Sequence, residues 1–227
     1  MDYNASVITR SETEVLGINK VLKNTYLLLS MTLLFAAAMA FVGIAIGFQM
    51  NIVALIVFFA GAWFLPNFVY KHAESAAGIP WIFAYTGFLG FFLAPMVGHY
   101  LSAGMGHVVM QALAGTALIF LSLSGYVLTT RKNFSFMRGF IFTGIMVLFF
   151  GAIAMAVASM FGVALGALSM AFSAAACLLM SGLILWQTSE IIHGGETNYI
   201  RATAGLFVAI WSLFANLLSL LGMSGDD

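Results

Sequence analysis

The chain has 227 residues, of which 63% are hydrophobic and 7% are charged, and its mean hydropathy is strongly positive. A water-soluble domain of this size cannot bury so much apolar surface, so the composition indicates a lipid bilayer as the partner of most side chains. The formal net charge is zero and the eight basic residues are spread along the chain, which argues against a nucleic-acid partner.

Seven apolar segments are long enough to cross a bilayer, which takes about 20 residues of α-helix. They cover residues 25–47, 52–70, 81–101, 108–130, 136–161, 163–189 and 199–222. The sequence therefore predicts an all-α membrane protein with one seven-helix domain over residues 25–222. A tail of residues 1–24 precedes this domain and a short tail of residues 223–227 follows it. Pro95 predicts a bend in the third span.

The basic residues predict the orientation of the spans, because Lys and Arg are enriched in cytoplasmic loops. With seven spans, all eight basic residues fall on one side of the membrane: Arg10, Lys20, Lys23, Lys71, Arg131, Lys132, Arg138 and Arg201. A count of six or eight spans would scatter them over both sides. We therefore expect a cytoplasmic N-terminus and a periplasmic C-terminus.

The polar tail before the first span has a helical pattern of its own. Ser11 and Glu14 match a capping box, and apolar residues recur at helical spacing after them. This pattern predicts a helix that begins near Ser11, lies at the membrane interface and leads into the first span. The alternative is that the tail is a binding handle for a cytoplasmic partner.

A stripe of small and polar residues runs along the seventh span. Gly205, Ala209, Ser212, Asn216 and Ser219 recur at intervals of three and four, which places them on one helix face. Such faces let helices approach closely in lipid, so the stripe predicts a packing seam with Ser212 and Asn216 as its polar members. A transport path is the alternative, and it would require a water-filled cavity that reaches these two side chains.

Ionisable side chains near membrane depth are rare, and four of them lie around the joint between spans six and seven. Glu190 lies one turn after Gln187 and one turn before His193, so these three share a helix face. Glu196 and Arg201 flank the joint. The four ionisable residues Glu190, His193, Glu196 and Arg201 could form a cluster that responds to protons or cations.

The same stretch also has a simpler interpretation. Glu190 is then hydrated or paired with Arg201, and Gly194 and Gly195 end the sixth helix. The seventh helix would be capped by an adjacent polar side chain, for which the candidates are Thr197 and Asn198.

No catalytic chemistry is predicted. A retinal-type Schiff base needs a lysine in the last helix, and no lysine follows Lys132. Ser124 and Ser181 lack the neighbours of an intramembrane serine nucleophile. The four histidines lack the spacing of a metal site, so we expect no catalytic residue, no metal and no cofactor.

Five strings of residues point to a known family. They are "KVLKNTYLLLS" (20–30), "FAYTGFLG" (83–90), "YLSAGMG" (100–106), "YVLTTRKNFSF" (126–136) and "TSEIIHGGETNYIRAT" (188–203). Together they resemble the bacterial inner-membrane branch of the Bax inhibitor-1 family. This resemblance implies a seven-helix inner-membrane protein that associates with the membrane-anchored AAA+ metalloprotease FtsH and restrains it. Residues 1–24 would then be the handle by which the protease engages the chain as a poor substrate.

Other members of this family are pH-sensitive calcium leaks that use a pair of aspartates. The resemblance places those two positions on Gln187 and Ala209, neither of which can ionise. A shared proton between paired carboxylates is therefore absent here. Glu190, about 4.5 Å further along the sixth helix, could act as a single titrating gate with Arg201. A calcium or proton leak thus stays as the alternative function.

Overall fold

A computed structural model describes residues 2–162 and 166–224. These residues form the helices α1 (Asp2–Ala45), α2 (Ile52–His72), α3 (Gly78–Phe92), α4 (Ala94–Ser102), α5 (Gly106–Thr130), α6 (Met137–Met160), α7 (Gly166–Ile192) and α8 (Tyr199–Ser224). Within them lie seven helical segments that are long and apolar enough to cross a membrane, α3 and α4 together forming one. The predicted all-α, seven-span fold is confirmed. The predicted start of span six at Val163 and the tail from residue 225 lie outside the described residues.

The first helix runs without a break from the polar tail into the membrane. α1 has 44 residues, so it is about 66 Å long at 1.5 Å per residue. A bilayer with its head groups is only about 40–45 Å thick, so α1 extends beyond it. The prediction that this helix begins at Ser11 is wrong, since the helix already includes Asp2. The side chains of residues 2–15 lie outside the description.

The third span is broken near its middle, as Pro95 predicted. α3 ends at Phe92 and α4 begins at Ala94, so Pro95 occupies the first turn of α4. Proline has no N–H to donate and its ring clashes with the preceding turn, which ends the continuous helix there. Just before the break, the backbones of α1 and α3 come very close, because a Cβ added at Gly90 would collide with the backbone of Ala36.

Helix α8 is the centre of the bundle and α6 is at its edge. α8 packs against α1, α2, α3, α5 and α7, and 44% of its most apolar stretch is buried. Only 6% of the corresponding stretch of α6 is buried, and this helix packs along α7. Because lipid competes with apolar contacts between helices, this difference in burial indicates that α8 is surrounded mainly by other helices and α6 mainly by lipid.

The joints that carry the basic residues meet at one end of the molecule. Asn198, just before α8, donates to the Ala73 carbonyl of the α2–α3 joint. His193, just after α7, contacts the Arg131 carbonyl of the α5–α6 joint. We call this region, together with the adjoining part of α1, the basic end. Which side of the membrane it faces stays a prediction from the charge pattern.

Candidate functional site

Helix α7 ends in a glycine turn at the basic end. Gly194 has a left-handed backbone with φ +74°, a conformation that costs glycine little. The Gly195 N–H then donates back to the Glu190 carbonyl at 2.8 Å, which closes the last turn. The predicted helix stop at Gly194 and Gly195 is confirmed.

Asn198 caps helix α8 and ties it to a neighbouring joint. Its Oδ1 accepts hydrogen bonds from the N–H groups of Ile200 and Arg201 at 2.9 and 3.2 Å. Its Nδ2 donates to the Ala73 carbonyl at 2.8 Å. Of the two predicted capping candidates, Thr197 and Asn198, the side chain that caps α8 in the described contacts is that of Asn198.

A polar cleft of about 290 Å³ opens beside this joint. Its walls come from α2, α6, α7 and α8, and its charged or polar lining residues are Tyr70, Arg138, Trp186, Gln187, Glu190, Glu196 and Arg201. Three of the four residues of the predicted titrating cluster therefore line one cleft, and Gln187 lies beside them. We keep the name polar cleft for this set of residues.

Three polar atoms at the cleft lack a hydrogen-bond partner among the described residues although they are buried. They are Gln187 Oε1, Trp186 Nε1 and Arg201 Nε. A buried polar group without a partner is costly, and buried groups of this kind are ordinarily satisfied by water or a ligand. Since one water takes about 30 Å³ in the liquid, the cleft has room for several. The arrangement suits hydration or binding of a small polar species.

Gln187 reaches from α7 across to α8. A Cβ added at Gly205 would lie 2.6 Å from Gln187 Nε2, so the amide rests on the glycine surface of α8. Ala209 is one turn further along α8 and is fully buried. The two positions at which the family resemblance expects aspartates thus differ here: Gln187 lines the polar cleft, whereas Ala209 belongs to the packed core.

Glu190 and Arg201 are not paired with each other. Arg201 donates to Glu74 Oε1 at 3.2 Å, and this ion pair is open to solvent, with Glu74 82% exposed. The Glu190 carboxylate lies against Gly195 and has no hydrogen-bond or ion-pair partner in the described part of the chain. Glu190 is therefore the free carboxylate of the polar cleft, while Glu196 is engaged with the Asn198 N–H at 2.8 Å.

His193 does not join the polar cleft. Its Nδ1 lies 2.8 Å from the Ser189 carbonyl and its Nε2 lies 3.1 Å from the Arg131 carbonyl. Ser189 adds a second tie, because its hydroxyl accepts from the Phe134 N–H at 2.9 Å. His193 and Ser189 thus hold the end of α7 to the α5–α6 joint, a role that the helical face shared with Glu190 did not indicate.

Ser212 and Asn216 direct their polar groups along their own helix. Asn216 Nδ2 donates to the Ser212 carbonyl at 2.8 Å and lies 3.3 Å from its hydroxyl. Both side chains are half-buried, and neither lines the polar cleft. The described hydrogen bonds of these two side chains stay within α8 and do not join it to a neighbouring helix.

Several residues of the site were missed by sequence reasoning. Tyr70 and Arg138 lie at span ends, where aromatic and basic residues are common as interfacial anchors, so neither indicated a cleft. Glu74 lies in the α2–α3 joint, 127 positions from Arg201. Contacts between such distant positions leave no local spacing to detect.

Comparison with known proteins adds a family to this geometry. The family model described as "Inhibitor of apoptosis-promoting Bax1" matches residues 18–226, nearly the whole chain. The chain belongs to the Bax inhibitor-1 family. Within the chain, the matched region includes every residue of the polar cleft, six spans in full and all but the first two residues of the first span.

Individual relatives cover the chain almost from end to end. An Escherichia coli K12 protein named "Modulator of FtsH protease YccA" is 47% identical over 219 residues, which are 96% of this chain and 97% of that protein. A protein from a second E. coli strain, named "Inner membrane protein YccA", is similar to the same extent. An "Uncharacterized membrane protein" of Vibrio cholerae is 40% identical over 99% of each chain.

Proposed function

We propose that this protein resides in the bacterial inner membrane with its N-terminus in the cytoplasm. There it binds FtsH as a modulator and poor substrate and slows the degradation of other membrane proteins. The support is the 47% identity, over 96% of the chain, to the E. coli protein that carries the FtsH modulator name. The structural observation that carries the proposal is the length of α1, which extends beyond any bilayer that its apolar part crosses.

The extension of α1 supplies the handle. Residues 2–15 include the charged residues Arg10, Glu12 and Glu14, so this part of the chain is too polar for the hydrocarbon and is available outside it. An AAA+ protease that engages this end has to pull on a helix that is continuous with the first span. The polar N-terminal part is thus accessible to the protease, and the rest of α1 is anchored in the bundle.

The bundle opposes extraction of α1. This helix packs against α3, α4, α7 and α8. Thr203 of α8 donates to the Thr25 carbonyl at 3.3 Å, and the backbone of Ala36 lies directly against Gly90. Pulling α1 out would break these contacts together, because a helix moves as one unit. The protein then occupies the protease without being degraded quickly.

Degradation of a membrane substrate by FtsH in reconstituted membranes tests this function. Full-length protein should co-purify with FtsH and slow substrate turnover. A variant that lacks residues 2–15 should keep its spans but lose most of the inhibition. A chain with residues 2–15 in scrambled order is the matched control for tail length and charge. Full inhibition by the variant without the tail, or no association of the full-length protein with FtsH, would refute the proposal.

A second candidate function, a calcium or proton leak, is favoured by the polar cleft. Glu190 is its unpaired carboxylate, and Gln187 contributes a buried oxygen without a protein partner among the described residues. On this hypothesis, liposomes that contain the protein show a pH-dependent flux that Glu190→Gln alters. Glu190→Asp is the control, because it keeps a carboxylate at the same position of the cleft and should therefore keep the pH dependence. Flux equal to that of protein-free liposomes would remove this candidate.

A further inference from the structure

An apolar groove lies on the opposite half of the bundle from the basic end. One wall is α1 from Leu33 to Ile44, the other is α5 from Val109 to Leu121, and α8 forms the floor. α1 and α5 meet through the rings of Tyr26 and Phe120, whose centroids are 5.9 Å apart, but their backbones do not pack closely on each other over the described residues. The space between them has a volume of about 490 Å³. Small side chains, among them Ala40 and Ala117, leave this space open.

The lining of the groove offers nothing to a polar ligand. Among the described residues that line it, Thr116 and Trp211 have polar side-chain atoms. The Thr116 hydroxyl donates to the Ala112 carbonyl at 2.7 Å, and Trp211 Nε1 donates to the Leu89 carbonyl at 2.9 Å. Both groups are therefore satisfied by backbone outside the groove. An occupant has to be apolar throughout, because any polar atom placed there would lose its hydrogen bonds with water.

The length of the groove fits a lipid chain. The α1 wall covers eleven residue steps, which is about 16 Å at 1.5 Å per residue. An extended hydrocarbon chain can lie along a wall of this length, and the volume of about 490 Å³ leaves room for it.

The position of the groove also matches a lipid chain. Its length is about half of the 30 Å hydrocarbon thickness of a bilayer, which is the depth of one leaflet. It opens sideways between Phe41 and Leu121, which are 70% and 64% exposed on the lipid-facing surface. The groove is thus continuous with the surface that the bilayer covers. It begins near the α4–α5 joint, so it lies in the leaflet remote from the basic end.

We propose that the groove between α1 and α5 binds one acyl chain of a bilayer lipid, in the leaflet remote from the basic end. The chain lies along the two walls and rests on the aromatic floor of α8. Bound there, it fills the space between the α1 wall and the α5 wall. This binding site lies apart from the polar cleft, and the proposal does not rest on FtsH binding.

Quenching of tryptophan fluorescence by brominated lipid tests this site, because Trp211 is part of the groove floor. Full-length protein with Trp63, Trp81 and Trp186 changed to Phe retains Trp211 as its only tryptophan. It is reconstituted into phosphatidylcholine vesicles with or without bromine near the middle of the acyl chains. Trp211 should lose most of its emission in the brominated vesicles. Equal emission in both kinds of vesicle would overturn the proposal.

Filling the groove should protect Trp211 from the bromine. Ala40→Phe on the α1 wall and Ala117→Phe on the α5 wall are both expected to restore most of the emission. Ala38→Phe is the matched control, since Ala38 is an exposed residue of α1 that does not line the groove. Helical circular dichroism and monodisperse gel filtration verify the fold of each variant. Equal quenching in the filled variants and in Ala38→Phe would contradict the site.

A second copy of the protein is the competing occupant. In that case quenching of Trp211 would be weak at a high ratio of protein to lipid and would increase on dilution into lipid. That result overturns the proposal. Quenching that is independent of this ratio supports the lipid chain.

Discussion

The two halves of this bundle differ in the contacts that hold their helices together, although a hydrogen bond between helices, from Trp211 to the Leu89 carbonyl, also occurs in the half with the apolar groove. At the basic end, side chains of the α7–α8 joint make hydrogen bonds to the carbonyls of two other joints, through Asn198 and His193. In the half that contains the apolar groove, α1 and α3 are held by close approach of their backbones at Ala36 and Gly90. Hydrogen bonds demand particular partners at particular angles, whereas apolar contact demands only shape.

Because of this difference, we expect specific contacts at the basic end and adaptable contacts in the half with the apolar groove. The basic end is bordered by water and head groups, so polar ties there replace water and fix the joints relative to each other. The other half faces hydrocarbon, where an unfilled space can be occupied by lipid at little cost. We therefore expect the basic end to keep its shape in different membranes, and the apolar groove to respond to the lipid that surrounds it.

The largest effect is expected where the helices of the apolar half approach most closely. Gly90→Ala places a methyl group against the backbone of Ala36, which cannot rotate away as a side chain can. The cost should be about 3 kcal/mol of unfolding free energy, at the upper end for overpacking. Unfolding by SDS in mixed micelles, followed by circular dichroism, measures it.

Gly125→Ala is the matched control for this change, because a Cβ there meets nothing within 4 Å. Since alanine is the better helix former, this control should be neutral or slightly stabilising. Equal destabilisation by the two substitutions would show that close approach at Gly90 does not hold the apolar half.

The next effect tests the tie between α8 and the α2–α3 joint. Asn198→Ala removes the cap of α8 and the hydrogen bond to Ala73 together. A cap contributes about 1 kcal/mol and a hydrogen bond about 1 kcal/mol, so the loss should be about 2 kcal/mol. The same SDS titration applies. Asn67→Ala is the control, since Asn67 bonds only within α2 in the described contacts, and a loss as large as that of Asn198→Ala would argue against the tie.

A smaller effect is expected at the tie between α7 and the α5–α6 joint. His193→Ala removes the bond to the Arg131 carbonyl and should cost about 1 kcal/mol. Hydrogen exchange should increase in residues 131–136 and stay unchanged in α1. His72→Ala is the control, because His72 bonds to Phe68 within α2. Unchanged exchange in the joint would mean that His193 does not hold it.

The smallest effect belongs to the exposed ion pair. Glu74→Gln removes the partner of Arg201, but Glu74 is 82% exposed and the pair is screened by solvent. We expect a change below about 0.5 kcal/mol in the SDS titration. A larger loss would show that charge pairing, and not the Asn198 bond, fixes the α2–α3 joint to α8.

Features that depend on a local pattern were predictable from the sequence. Span lengths follow from the cost of apolar surface in water, and Pro95 and Gly194 act through their own backbones. The exception is α1, because Ser11 and Glu14 form a capping box only if the chain before them leaves the helix. That condition is not met, because α1 is already helical from Asp2.

Features that depend on distant contacts were not predictable. The bond of His193 to Arg131 joins positions 62 apart, and the pairing of Arg201 with Glu74 joins positions 127 apart. The sequence placed His193 and Glu190 on one helix face, but the ends of a helix have neighbours on several sides and the two side chains contact different joints. The apolar groove arises because the backbones of α1 and α5 do not pack closely along it, and this arrangement depends on how all the helices pack rather than on any single segment.

The uninterrupted α1 has a mechanical consequence. Its first turns and the wall of the apolar groove belong to the same continuous helix. A pulling force on the N-terminal end of α1 would therefore tilt or shift the part of the same helix that packs on Gly90 and lines the groove. A force applied to α1 on one side of the membrane would thus change how the groove binds an acyl chain in the opposite leaflet.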